Sequence, residues 1–207
     1  GGLATASIPN FACYRTVAET YAGLAQLAAD NPQLAEWRDI GDSWLKGASA
    51  GLDGNDLYAL VLTNRAFTAS KPRLLVMAAI HARELTTAEV ATRFAEGLVA
   101  RYGIDPQATW LLDYNEIHIV PQANPDGRQR AEQAAGEPVG SPNSLWRKNV
   151  NNTDGCTSSR LYGVDLNDMA AQFKQVKKMG DMKGILGMLP GIGKFKKQIE
   201  DAKIDDK

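Results

Sequence analysis

The run RLLVMAAI, residues 73–80, constrains the fold of this 207-residue chain more than any other stretch. Its continuous apolar part, Leu74 to Ile80, is far shorter than the roughly 18 residues a membrane helix needs. It is also too uniform for a strand with one wet face, so it reads as a strand covered on both faces of a sheet. After HAREL the pattern changes to TTAEVATRFAEGLVARYG, in which Thr86 and Glu89 have the spacing of a capping box and Gly103 suits a helix end. NEIHIVPQANPDG then reads as a second strand running into a turn.

The rest of the amino-terminal region fits the same plan. Residues 16–29, TVAETYAGLAQLAA, place apolar groups at helical spacing, with Asn31 and Pro32 as stop signals. EWRDIGDSW and DLYALVLTN flank the Gly-rich turn GASAGLDGND and read as neighbouring strands. Strands that alternate with helices predict an α/β sheet, whose ligands gather beyond the carboxyl ends of its strands. HAREL, NPDGR and GVDLN all fall at or near such ends.

Composition separates the last forty residues from the rest. Residues 1–167 carry 11 Arg and 3 Lys against 18 acids, whereas residues 168–207 carry no Arg, 9 Lys and 6 acids. Four of the five methionines, Met169, Met179, Met182 and Met188, lie in that tail. The change in basic-residue usage predicts two segments of different origin, with the boundary near residue 167. The tail reads as a short amphipathic helix followed by an apolar stretch, GILGMLPGIG, broken by Gly and Pro. Its lysines read as a solvated face and not as a nucleic-acid surface. The amino end shows no basic start followed by an apolar stretch, so no secretory signal is read from it. Cys13 and Cys156 admit one disulfide in an exported protein.

His81 and Glu84 stand three residues apart, close enough on a helical turn to reach one ion. A catalytic zinc takes three protein ligands and keeps an open position, where it lowers the pKa of water to about 7. Two such residues alone are equally consistent with a strand end followed by a helix start that favours negative charge.

HARE at residues 81–84, NPDG at 124–127, LWRKN at 145–149 and GVDLN at 163–167, in this order and spacing, resemble the zinc metallocarboxypeptidases. The resemblance spans residues 10–167 and includes the opening CYRTVAETY. It implies a truncated zinc-carboxypeptidase-like mixed sheet with flanking helices, and hydrolysis of carboxy-terminal residues from peptides. By the same resemblance His81 and Glu84 are zinc ligands, and Arg147 polarises the scissile carbonyl and steadies the oxyanion. Asn167 holds the peptide's terminal carboxylate, Arg83 lines the cleft, and NPDG is a structural turn.

The chain departs from that family after GVDLN. Asp168 stands where the family has the arginine that grips the substrate carboxylate. No histidine follows residue 118, so the family's third zinc ligand is missing, as are its catalytic glutamate and its substrate-covering tyrosine. His118, between Ile117 and Ile119, reads as a strand residue.

Residues 165–207 resemble the start of the methionine-rich domain of the signal recognition particle GTPase subunit, which implies an apolar-helix partner. GIGKF at 191–195 lacks the spacing of a phosphate-binding loop. The first resemblance implies a secreted or periplasmic protein, the second a cytoplasmic one. The chain is therefore expected to be a carboxypeptidase by lineage with a crippled site, a binding module working through its tail, or a chimera without a selected function.

Overall fold

The computed structural model describes residues 8–49, 51, 53–137, 143–152 and 163–165. The chain divides into two compact units, residues 1–163 and 164–207, and the sheet with its helices belongs to the first. The tail, Asn167, Asp168 and Cys156, and with them the disulfide expectation, lie outside the described residues.

Helix α1, Val17–Asp30, opens with a capping box in which Thr16 accepts from Glu19 N and the Glu19 side chain accepts from Thr16 N. It buries Val17, Thr20, Leu24 and Ala28, the stripe expected of the 16–29 pattern. Strand β1, Ala35–Asp42, pairs antiparallel with β2, Asp56–Leu62, as neighbouring strands should. A short helix α2, Trp44–Ala48, occupies part of the link between them, taking Trp44 from the strand stretch EWRDIGDSW and Gly47 and Ala48 from the turn.

Strand β3, Arg73–Met77, is followed by helices α3, Leu85–Arg101, and α4, Pro106–Tyr114, and then by β4, Glu116–Val120. β3 and β4 run parallel, while β2 and β4 run antiparallel, so the sheet is mixed with the order β1-β2-β4-β3. Helix α5, Pro125–Gln133, follows β4. The core gathers Leu24 of α1, Leu60 and Leu62 of β2, Leu98 of α3, Leu112 of α4, and Ile117 and Ile119 of β4. Because β3 and β4 are parallel and separated by helices, the loops leaving both strands emerge at one end of the sheet.

Three sequence expectations change. RLLVMAAI is not covered on both faces: β3 ends the sheet, only β4 pairs with it among the described residues, and Leu74 and Leu75 are 51% and 60% exposed. Val76 alone of its central residues packs against the core. Thr86 and Glu89 do not form a capping box, because α3 starts at Leu85 with Glu84 as its N-cap residue. Glu89 is drawn inward to Arg15 and the Thr86 hydroxyl donates to the Tyr14 hydroxyl. NPDG is not a free turn but the start of α5, with the Asn124 side chain accepting from Gly127 N. Helix α4 lies in a stretch without a strong apolar period, yet its start signal is present: Asp105 accepts from Gln107 N and Ala108 N, and Pro106 sets the first turn.

Beneath these elements lies a buried ionic layer. Arg15 bridges Glu89, at 2.9 Å, and Glu96, at 2.5 Å. Burial by itself would push the Glu89 carboxyl up, but the hydrogen bonds and charge of Arg15, joined by Arg93, hold it below the usual carboxylate range. Arg128 of α5 is fully buried, bonds Glu132 Oε1 at 2.8 Å and reaches the carbonyls of Leu85 and Arg15. Glu132 in turn accepts from Val17 N, the first amide of α1. Burial raises the Glu132 carboxyl despite the attraction of Arg128. This layer ties α1, α3 and α5 together.

Removing one member of a buried pair strands the other charge, at a cost of about 3–5 kcal/mol, whereas replacing both by apolar groups costs far less. Glu132→Ala is therefore expected to lower the urea midpoint more than the double replacement Arg128→Met with Glu132→Leu, and equal losses would show that the pair carries no such strain.

Candidate metal centre

The site begins where β3 stops. Ala79 adopts φ of 51°, a left-handed conformation uncommon for a residue with a Cβ, and so turns the chain sharply out of the sheet. Thr87 holds the turn: its hydroxyl accepts from Ala79 N at 3.0 Å and donates to the Glu84 carbonyl at 2.9 Å. Glu84 N donates to the His81 carbonyl at 3.1 Å. One tight turn thus carries HARE into the first turn of α3.

On that turn His81 Nδ1 lies 3.0 Å from Glu84 Oε1. The His81 side chain is 14% exposed and that of Glu84 is 43% exposed, so the pair has a wall on one side and solvent on the other. Arg147 Nη1 lies 3.5 Å from the same Glu84 oxygen, close enough to add positive charge at the carboxylate. The Arg147 carbonyl accepts from Ala82 N at 3.0 Å, which fixes the LWRKN segment to the HARE turn. Arg83 points to the same segment, with Nη1 3.5 Å from the Leu145 carbonyl. Trp146 is buried against Ala82 and Ala131, and the Arg130 guanidinium stacks over its ring at 4.1 Å.

Asn124 joins these pieces. Its Nδ2 donates to the Ile80 carbonyl at 3.3 Å and to the Lys148 carbonyl at 3.0 Å, while its Oδ1 accepts from Gly127 N at 3.1 Å. Backbone bonds from Ala123 N to the Ala78 carbonyl and from Asn124 N to the Ala79 carbonyl complete the seam between the two loops. One side chain therefore links the residue before His81, the residue after Arg147 and the start of α5. Sequence reasoning missed this clasp, although the asparagine ahead of Pro-Asp-Gly is a helix N-cap signal.

Of the residues expected at the site, His81, Arg83, Glu84 and Arg147 are brought together, and Asn167 lies outside the described residues. His118 lies within β4, opposite Leu75 and Val61, with its Nε2 2.6 Å from Glu116 Oε1. Together with Arg73, that ring holds the Glu116 carboxyl below its usual range. Among the described residues, no three His, Cys, Asp or Glu side chains are grouped so as to hold a metal. An imidazole and a carboxylate on one half-open turn are suitable zinc donors, and they account for two of the three protein ligands of a catalytic site.

Residues 20–182 match the family described as zinc carboxypeptidase, and residues 158–207 match the family described as signal peptide binding domain. Carboxypeptidase A1 of Sus scrofa is 31% identical over 167 residues, which cover 81% of this chain and 35% of that protein. A zinc carboxypeptidase of Saccharothrix mutabilis subsp. capreolus is 33% identical over 115 residues, 55% of this chain and 25% of that one. The chain spans about a third of the length of the curated relatives it matches. Among solved structures, thrombin activatable fibrinolysis inhibitor superposes with a TM-score of 0.62 at 22% identity, covering 77% of this chain and 35% of that one. Carboxypeptidase A from Helicoverpa armigera superposes with a TM-score of 0.56 at 26% identity, covering 74% and 33% respectively. The mixed sheet and its helices therefore have the fold of the carboxypeptidases.

A Cβ added at Gly127 would stand 2.6 Å from both Asn124 Nδ2 and the Lys148 carbonyl. Gly127→Ala is expected to push the clasp apart and cost about 1–3 kcal/mol. Gly97→Ala, inside α3 with its nearest contact at 3.8 Å, is expected instead to stabilise by about 0.5–1 kcal/mol. Thermal unfolding of the two variants checks both signs, and a neutral Gly127→Ala would contradict the close fit.

Proposed function

We propose that this chain, which belongs to the zinc carboxypeptidase family, carries the amino-terminal part of a zinc peptidase site and does not itself turn over peptides. The observation that supports this reading is the meeting of His81, Glu84 and Arg147 on one half-open turn. His81 and Glu84 would hold zinc there, and the ion would supply Lewis acidity toward a peptide carbonyl. Arg147 places a fixed positive charge where a carbonyl oxygen gains negative charge, and Arg83 lines the same cleft. Asn167 would hydrogen-bond a peptide's terminal carboxylate.

The same chemistry explains the proposed lack of turnover. Two donors hold an ion loosely, because a third anchor is what fixes its geometry. Asp168, which follows Asn167 in the sequence, would repel a peptide carboxylate held by Asn167. Among the described residues, Glu89 and Glu116 are not placed to act as the base. Glu89 is engaged by Arg15 and Arg93 under α3, and Glu116 lies at the amino end of β4, the end opposite the HARE turn. Loss of a general base alone removes about 10²- to 10⁴-fold in rate. In this reading residues 1–167 form the partial peptidase domain and residues 168–207 a separate fragment.

A second reading is favoured by the match of residues 158–207 to the signal peptide binding domain. Its methionines would offer an adaptable apolar surface to an apolar helix. The two readings use different residues, so His81→Ala leaves helix binding intact and removes metal binding.

Isothermal titration of metal-free protein is expected to show zinc bound no tighter than about micromolar, with the heat lost in His81→Ala. A much tighter stoichiometric site would mean that a third ligand completes it. Release of carboxy-terminal residues from a mixed peptide library with added zinc is expected to stay at background. Zinc-dependent release that disappears in both His81→Ala and Glu84→Ala would overturn the proposed inactivity.

A further inference from the structure

One carboxylate oxygen serves two neighbours at the HARE turn. Glu84 Oε1 lies 3.0 Å from His81 Nδ1 and 3.5 Å from Arg147 Nη1. The second contact is prepared by the backbone, because the Arg147 carbonyl accepts from Ala82 N and Asn124 draws the Lys148 and Ile80 carbonyls to its Nδ2. Arg147 therefore starts from a segment already fixed to the turn that carries Glu84. The two side chains are 30% and 43% exposed, so water screens their attraction only in part. A zinc ion taken up by His81 and Glu84 must share the Glu84 carboxylate with this guanidinium, and two cations on one carboxylate repel each other.

We propose that Arg147 regulates metal uptake at this turn: in the metal-free chain its guanidinium occupies the Glu84 carboxylate, and zinc binds only by weakening that ion pair. This regulation rests on the reading of His81 and Glu84 as zinc donors. Charge and not bulk carries it, so Arg147 makes the two-donor site looser than the number of donors alone would make it. Linkage makes the effect reciprocal. By whatever factor Arg147 weakens zinc, zinc weakens the hold of Glu84 on Arg147. The metal-free turn keeps the guanidinium on the protein's own carboxylate, and the loaded turn makes its charge available to a carbonyl oxygen. Metal uptake and the readiness of Arg147 are thus one equilibrium.

Isothermal titration of zinc into the metal-free chain, Arg147→Gln and Arg147→Lys, at low ionic strength and with His81→Ala added to each, tests the competition. Arg147→Gln is expected to bind zinc about three- to tenfold more tightly than the wild-type chain, the scale of removing one partly exposed charge beside a carboxylate. Arg147→Lys, which keeps a positive charge, is expected to gain less than Arg147→Gln, and high salt is expected to narrow the gap between Arg147→Gln and the wild-type chain. His81→Ala is expected to remove the heat in all three. Zinc binding in Arg147→Gln that is equal to or weaker than in the wild-type chain overturns the proposal, while heat still lost with His81→Ala leaves the donor pair standing. Arg147→Lys binding as tightly as Arg147→Gln overturns it as well. Heat that survives His81→Ala, or no heat in any of the three chains, overturns the donor pair itself and the regulation with it.

Discussion

The bonds made by the Asn124 side chain are what the rest of the site depends on. Without them the HARE turn, the LWRKN segment and the start of α5 are three loops at one end of a sheet, and loops rarely hold functional groups in place unaided. Two donations from Nδ2 and one acceptance at Oδ1 bring the carbonyls of Ile80 and Lys148 and the amide of Gly127 to one point. The absence of a side chain at Gly127 is part of the same contact, since its backbone must come this close to both the amide and the Lys148 carbonyl. His81, Glu84 and Arg147 inherit their positions from that seam.

The seam sits on a sheet whose topology puts it there. Parallel β3 and β4 deliver their carboxyl ends side by side, and the antiparallel hairpin of β1 and β2 closes the other flank. The buried layer of Arg15, Glu89, Arg128 and Glu132 then locks α1, α3 and α5 under the same end of the sheet. Buried ion pairs contribute little net stability, but each of these also satisfies a backbone amide, Glu132 accepting from Val17 N and Glu89 from Arg15 N.

Much of this was legible in the sequence wherever a local rule decides the outcome. The stripe Val17, Leu24, Ala28 marks α1, and Gly103, with φ of 77°, lies just past the end of α3 as expected of its left-handed conformation. The motifs HARE and LWRKN do meet. The illegible part depends on partners distant in sequence. Glu89 has the spacing of a cap yet serves Arg15, 74 residues away, because a guanidinium in the core outweighs an exposed end amide. β3 has the composition of a strand buried on both sides, yet Leu74 and Leu75 are exposed, because composition records what a strand suits and not which neighbours it meets. The described part of the chain supplies a partner on one side only. Asn124 reads as a turn residue because nothing local shows that Ile80 and Lys148 lie within its reach.

The chain's histidines, His81 at the site and His118 in mid-strand, make the central claim directly measurable. Replacing Asn124 by Asp keeps an acceptor for Gly127 N but removes both donations from Nδ2. Imidazole resonances of the two rings, followed by NMR in the chain and in Asn124→Asp, report the two places separately. The clasp predicts that the His81 resonances move while those of His118 stay where they were. Resonances unmoved at both rings, or displaced equally at both, would contradict the assignment of the site's geometry to Asn124.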